Sequence, residues 1–112
     1  MELRRVVVTG LGALTPLGNT LQAYWEGLVS GRSGAAPITR FDASKFKTQF
    51  ACEVKGFNPE EFMDRKEARK MDPYTQFAVV CADEAIKDSG LDLERVDRER
   101  IGVIWGLSLI HI

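Results

Sequence analysis

Three groups of residues in this 112-residue sequence have the types and spacing to do chemistry. Residues 64–70, DRKEARK, carry four positive and two negative charges, a local +2 on a chain of net charge −1. Arg65, Lys66, Arg69 and Lys70 recur at i, i+1, i+4 and i+5, so one helical turn gathers them on a single basic edge. Taken alone, that edge reads as a solvated face supported by i,i+4 contacts with Glu61 and Glu67. Its functional alternative is an anchor for an acidic partner. The second group is the glycine-rich VVVTGLGALTPLG, which follows an apolar run and precedes a helical pattern. The third is Cys52 and Cys81, with His111 as the sole histidine.

The last two groups fall short of the chemistry they suggest. A dinucleotide fingerprint requires G-x-G-x-x-G, but Thr15 stands where the third glycine belongs after Gly10 and Gly12. A P-loop requires a lysine after its last glycine, and Asn19 follows Gly18 instead. A tight structural turn is therefore expected here, and a nucleotide-binding oxidoreductase is disfavoured. Cys52 sits in an alternating strand pattern and Cys81 on the apolar face of a helix, with no histidine near either. Both read as small buried hydrophobes rather than nucleophiles.

Composition narrows the rest. With 45% hydrophobic and 28% charged residues, the sequence is that of an ordinary globular chain of one domain at most. Balanced charge argues against a nucleic-acid binder. No apolar run approaches the ~20 residues of a membrane span, and the start, MELRRVVVTG, lacks the apolar stretch of a secretory signal. The cysteines form no CxxC pair, so neither a zinc ribbon nor a disulfide framework fits. A reducing cytoplasm is the expected compartment.

The elements that must position these groups follow from periodicity. Residues 4–9 and 101–105 are continuous β-branched and apolar runs, the pattern of strands buried on both faces of a parallel sheet. Leu21, Tyr24, Trp25, Leu28 and Val29 share one helical face, with Asn19 or Thr20 as N-cap and Gly31 as stop. Residues 32–37 read as a turn and 49–54 as a short half-buried strand. Asn58-Pro59 opens a short helix to about Met63. Asp72-Pro73 opens a longer one, with Tyr74, Phe77, Ala78, Cys81 and Ala85 on one face, closing at Ser89-Gly90. The order predicts a layered α/β fold.

Together these blocks resemble the N-terminus of the elongating β-ketoacyl-(acyl-carrier-protein) synthases. The likeness lies in RRVVVTGLGALTPLGN, the Trp25 helix, SGRSG, Phe41-Asp42, DRKEARKMD and DSGL, in that order and spacing across residues 3–106. The RKEARKMD block is closer to synthase II than to synthase I. The resemblance implies a thiolase-like fold, layered α-β-α-β-α, acting as a homodimer in fatty acid synthesis without metal or other cofactor. It implies a decarboxylating Claisen condensation, in which a cysteine takes the acyl chain from acyl-carrier protein. Two histidines then promote loss of CO₂ from malonyl-carrier protein.

The resemblance also implies that the nucleophile and both histidines lie beyond residue 106, and that neither Cys52 nor Cys81 matches the nucleophile. Residues 1–106 are thus expected to be a partial synthase domain, inactive by itself. One role carries over: Lys66, Arg69 and Lys70 fall on positions that contact the acidic helix of acyl-carrier protein, with Arg65 beside them. A non-catalytic carrier-protein-binding module is the alternative. The sequence departs from the family after Gly106, where a glycine-rich turn is expected and LSLIHI stands instead. Those six residues are one translation of CTGTCTCTTATACACATC, a transposon-type sequencing adapter. Residues 107–112 are therefore expected to be a non-native tail, leaving His111 without a function.

Overall fold

The computed structural model describes residues 3–108. In chain order the elements are α1 (Leu21–Val29), β1 (Ala36–Pro37), β2 (Phe50–Ala51), α2 (Arg65–Ala68) and α3 (Pro73–Ser89). A single 3-10 turn at Pro59–Glu61 precedes α2, and another at Arg98–Arg100 follows α3.

Local sequence signals explain the helices. Asp72 caps α3 by accepting the Thr75 N–H, Pro73 occupies the first turn, and Gly90 ends the helix in the left-handed region at φ 65°. α1 begins at Thr20, whose hydroxyl accepts the Ala23 N–H, and the chain turns away at Gly31, also at φ 65°. Asn58 accepts the Glu60 N–H and Pro59 follows it, but one 3-10 turn forms rather than a helix to Met63.

α3 is the spine on which the glycine-rich segment is mounted. A Cβ on Gly12 would fall on the Cys81 carbonyl oxygen, and one on Gly10 on that of Ala85. These glycines let the chain lie directly against the α3 backbone. The expected tight turn lies farther on: Thr15 and Gly18 exchange backbone hydrogen bonds of 2.9 and 3.1 Å around Pro16-Leu17.

The strands are where expectation and structure part. Residues 4–9 and 101–105 adopt no regular structure, and their side chains are exposed: Val6 by 87% and Ile104 by 97%. A buried parallel strand exists only between neighbours that satisfy its backbone and cover its faces, and the described residues supply neither. Among the described residues, apart from the Thr15–Gly18 bridge, strand pairing is confined to β1 and β2, antiparallel, with Ala36 opposite Ala51 and Pro37 opposite Phe50. The segment read as a turn thus contributes a short strand at its end, while the strand read over 49–54 contracts to two residues. Its inside and outside are also reversed: Phe50 and Cys52 face solvent while Ala51 is half-buried. No second layer covers β2 among the described residues: Phe50 is 65% exposed, and Cys52 is exposed rather than the buried hydrophobe expected.

Burial is accordingly thin. Among the described residues only Ala43, Ala68 and Val80 form a buried hydrophobic core, and Trp25 and Trp105 are more than half exposed. The radius of gyration is 17.4 Å, against about 13 Å for a compact domain of ~100 residues. The chain has the helices of a layered α/β fold and lacks most of its layers.

Candidate functional site: a basic turn braced on the long helix

The basic block is built on a single turn. Asp64 Oδ2 accepts the Lys66 N–H at 3.1 Å, starting α2. The turn continues past Ala68, because the Arg69 N–H donates to the Arg65 carbonyl and the Lys70 N–H to that of Glu67. Ala68, only 5% exposed, is the inward residue. Arg65, Lys66, Arg69 and Lys70 are all exposed on the outward side.

Two features of the rest of the chain hold this turn in place. The Gln76 side-chain amide on α3 donates to the carbonyls of Ala68 at 2.9 Å and Met71 at 3.3 Å, tying the end of the turn to the long helix. In the segment leading into α2, Phe57 stacks on Phe62, centroids 5.8 Å apart, and meets Phe77 of α3 edge-on at 5.1 Å. Sequence reasoning missed Gln76. Its signal was slight, a lone amide three residues beyond a helix-opening Asp-Pro pair.

Intramolecular ion pairs divide the four cations. Arg65 Nε lies 3.2 Å from Glu60 Oε1, so its partner is Glu60 rather than the expected Glu61. The 3-10 turn at Pro59–Glu61 presents Glu60, not Glu61, to α2. Lys70 Nζ lies 2.7 Å from Glu67 Oε1. Lys66 and Arg69 have no carboxylate within 4 Å among the described residues, so the edge offers two unpaired cations beside two loosely paired ones.

The other candidates do not assemble into a site. The amides of the glycine-rich segment that a phosphate would use are already occupied: the Leu11 N–H donates to Asp88 Oδ2 at 2.9 Å and the Ala13 N–H to Glu84 Oε2 at 2.8 Å. Two carboxylates at that position would repel a nucleotide. The cleft beside them, about 410 Å³, is lined by Leu11, Leu21, Gln22, Trp25, Glu84 and Asp88, and both of its acids are engaged by backbone. Burial pushes the Cys81 thiol pKa up, against the pull of the Leu14 backbone hydrogen bond, and the Glu84 charge adds to the rise. That is the direction of an inert structural thiol. No group of His, Cys, Asp and Glu able to hold a metal occurs among the described residues. His111 lies outside them.

Comparison with known proteins decides the family. Residues 3–110 match the model of the β-ketoacyl synthase N-terminal domain. The chain belongs to the β-ketoacyl synthase family. A 3-oxoacyl-(acyl-carrier-protein) synthase 2 of Synechocystis sp. is 51% identical over 109 residues, 97% of this chain and 26% of that protein. The synthase 2 of Coxiella burnetii is 50% identical over the same shares, and that of Staphylococcus aureus 47% identical over 95% of this chain. The chain therefore spans about a quarter of the length of the curated relatives it matches.

Solved structures place it on the same fold. The ishigamide ketosynthase/chain length factor superposes with a TM-score of 0.73 at 42% identity, over 81% of this chain and 23% of that one. A type II polyketide synthase ketosynthase, in complex with its acyl-carrier protein and bound to the hexaketide, gives 0.60 at 25% identity over the same shares. The thiolase-like α/β assignment follows from these neighbours and explains the bare strands: over three-quarters of each matched ketosynthase chain has no counterpart here. No helix among the described residues is long and apolar enough to cross a membrane.

Proposed function

We propose that this chain is the carrier-protein-docking quarter of a 3-oxoacyl-(acyl-carrier-protein) synthase II. The whole enzyme elongates acyl chains by decarboxylating Claisen condensation with malonyl-carrier protein, as a cytoplasmic homodimer. Lys66, Arg69 and Lys70 meet the acidic helix of acyl-carrier protein, with Arg65 at the margin. The chain itself catalyses no condensation, because the cysteine nucleophile and the two histidines of the family belong to the remaining three-quarters. The family match runs on to residue 110, four residues into the segment read as a non-native tail, and residues 109–112 of that segment lie outside the described residues.

One observation carries the docking reading. Two exposed cations, Lys66 and Arg69, stand without a carboxylate partner among the described residues on a turn that Gln76 ties to α3 through the Ala68 and Met71 carbonyls. A solvated face kept for solubility has no need of such bracing. Relatives named for acyl-carrier protein, and a ketosynthase neighbour solved with one, support the same partner class.

The test is charge reversal of Arg69 and Lys70 in a full-length synthase carrying this sequence as its first quarter. Affinity for acyl-carrier protein should fall, and added salt should narrow the gap between variant and parent. Each exposed contact contributes under ~1 kcal/mol, so losing the pair should cost up to about thirtyfold in Kd. Unchanged affinity would return residues 64–70 to an ordinary solvated face.

A further inference from the structure

The basic edge contains two acids of its own, and they do different things. Asp64 is committed to the fold, its carboxylate capping α2 through the Lys66 N–H. Glu67 is not. Among the described residues its carboxylate has one polar partner, Lys70 Nζ at 2.7 Å, while its backbone carbonyl serves the turn. Both members of the pair are more than half exposed, at 60% and 51%. The i,i+3 spacing on a one-turn helix sets Glu67 directly below Lys70, among the four cations.

We propose that Glu67 is a built-in competitor for the acidic partner: it occupies Lys70 while the surface is empty and must release it on docking. This rests on the docking reading of the same edge. Lys66 and Arg69 then make the first encounter with the partner's carboxylates, since neither has an internal acid to leave. Lys70 joins afterwards, exchanging one carboxylate for another across a water-exposed gap. The exchange is close to isoenergetic because an exposed pair is weak and screened. The Glu67 charge also opposes the approach of the partner's acids. Its effect is to hold the complex below the affinity that Lys66, Arg69 and a free Lys70 would give together, which suits a partner that must leave after each delivery.

The experiment uses a full-length synthase carrying this sequence, with purified acyl-carrier protein as probe, and measures Kd at low and high salt. Glu67→Gln keeps the side-chain length and the backbone carbonyl while removing the charge. It should tighten binding about two- to fivefold at low salt, the effect of freeing one exposed pair, and the gain should shrink in high salt. Lys70→Ala should weaken binding less than Lys66→Ala or Arg69→Ala in the parent. It should weaken binding more once Glu67→Gln is present, so the two changes are not additive. Unchanged melting temperatures show that α2 persists in each variant. If Lys66→Ala and Arg69→Ala weaken binding while Glu67→Gln leaves it unchanged or weaker, the competitor role is overturned and the docking surface stands. If none of the three lysine and arginine substitutions matters, the docking reading fails and takes this one with it.

Discussion

Glu84 and Leu21 are joined across 63 residues of sequence: the Leu21 N–H, first in α1, donates to Glu84 Oε1 at 2.8 Å. The other oxygen of the same carboxylate takes the Ala13 N–H at the same distance. One side chain on α3 therefore satisfies a free amide at the start of α1 and one in the glycine-rich segment. Asp88, one turn later, takes the Leu11 N–H. The segment that looks like a nucleotide loop is a strap held to a helix by two carboxylates.

Glu84→Ala should accordingly destabilise a full-length synthase carrying this sequence. Two part-buried amides lose a charged acceptor, and hydrogen bonds to charged groups contribute about 1.5–3 kcal/mol each before relaxation or replacement by water. A loss of ~2–4 kcal/mol is expected in denaturant titration. Glu84→Gln, which keeps one oxygen, should lose about half as much. A loss below ~0.5 kcal/mol for the alanine variant would show that water replaces the carboxylate freely.

The N-cap of α3 makes a pH-dependent contribution. The Thr75 backbone N–H, and then its hydroxyl, hold the Asp72 carboxyl below the usual carboxylate range. A carboxylate with a lowered folded pKa stabilises fully above its unfolded pKa, and that stabilisation is lost as pH falls through the folded value. Acid unfolding of the same synthase should therefore begin at pH values below ~4 in part through this cap. Asp72→Asn keeps an acceptor that cannot titrate, so its stability profile should be flatter on the acid side. Parallel acid limbs for parent and variant would remove Asp72 from the pH dependence.

The helices were legible in the sequence because their signals are local. Asp72-Pro73 and Ser89-Gly90 bound α3, and Thr20 with Gly31 bounds α1, each through bonds within a few residues of the cap. The strands were not, because a strand is defined by partners, and none of the described residues pairs with residues 4–9 or 101–105. The same division runs through the site. Residues 64–70 announced their charge, but which cations are already paired depends on Glu60 and Glu67, and their placement depends on Gln76. Gly10 and Gly12 were visible as glycines; their purpose, clearance against the Ala85 and Cys81 carbonyls, appears only once α3 is laid beside them.

Residues 1–106 should not unfold cooperatively when purified alone. Their described part has three buried apolar residues and no side chain below 2% exposure, and it leaves Val6, Ile104 and both tryptophans in water. Ordering ~100 residues costs on the order of 100 kcal/mol in conformational entropy, which only near-complete burial offsets. Scanning calorimetry should show aggregation or a broad, weak transition. A sharp transition from a monomer would favour a stand-alone carrier-protein module.

The most direct measurement asks whether this chain does chemistry or only recognition. The 112-residue chain is incubated with acyl-carrier protein bearing a long acyl thioester, and its intact mass is recorded over time. The expected result is an unchanged mass: the Cys81 thiol pKa is raised by burial, and neither cysteine has a histidine beside it among the described residues. An increment of one acyl group, lost on substitution of Cys52 or Cys81 by serine, would contradict it and place a nucleophile in this quarter of the synthase.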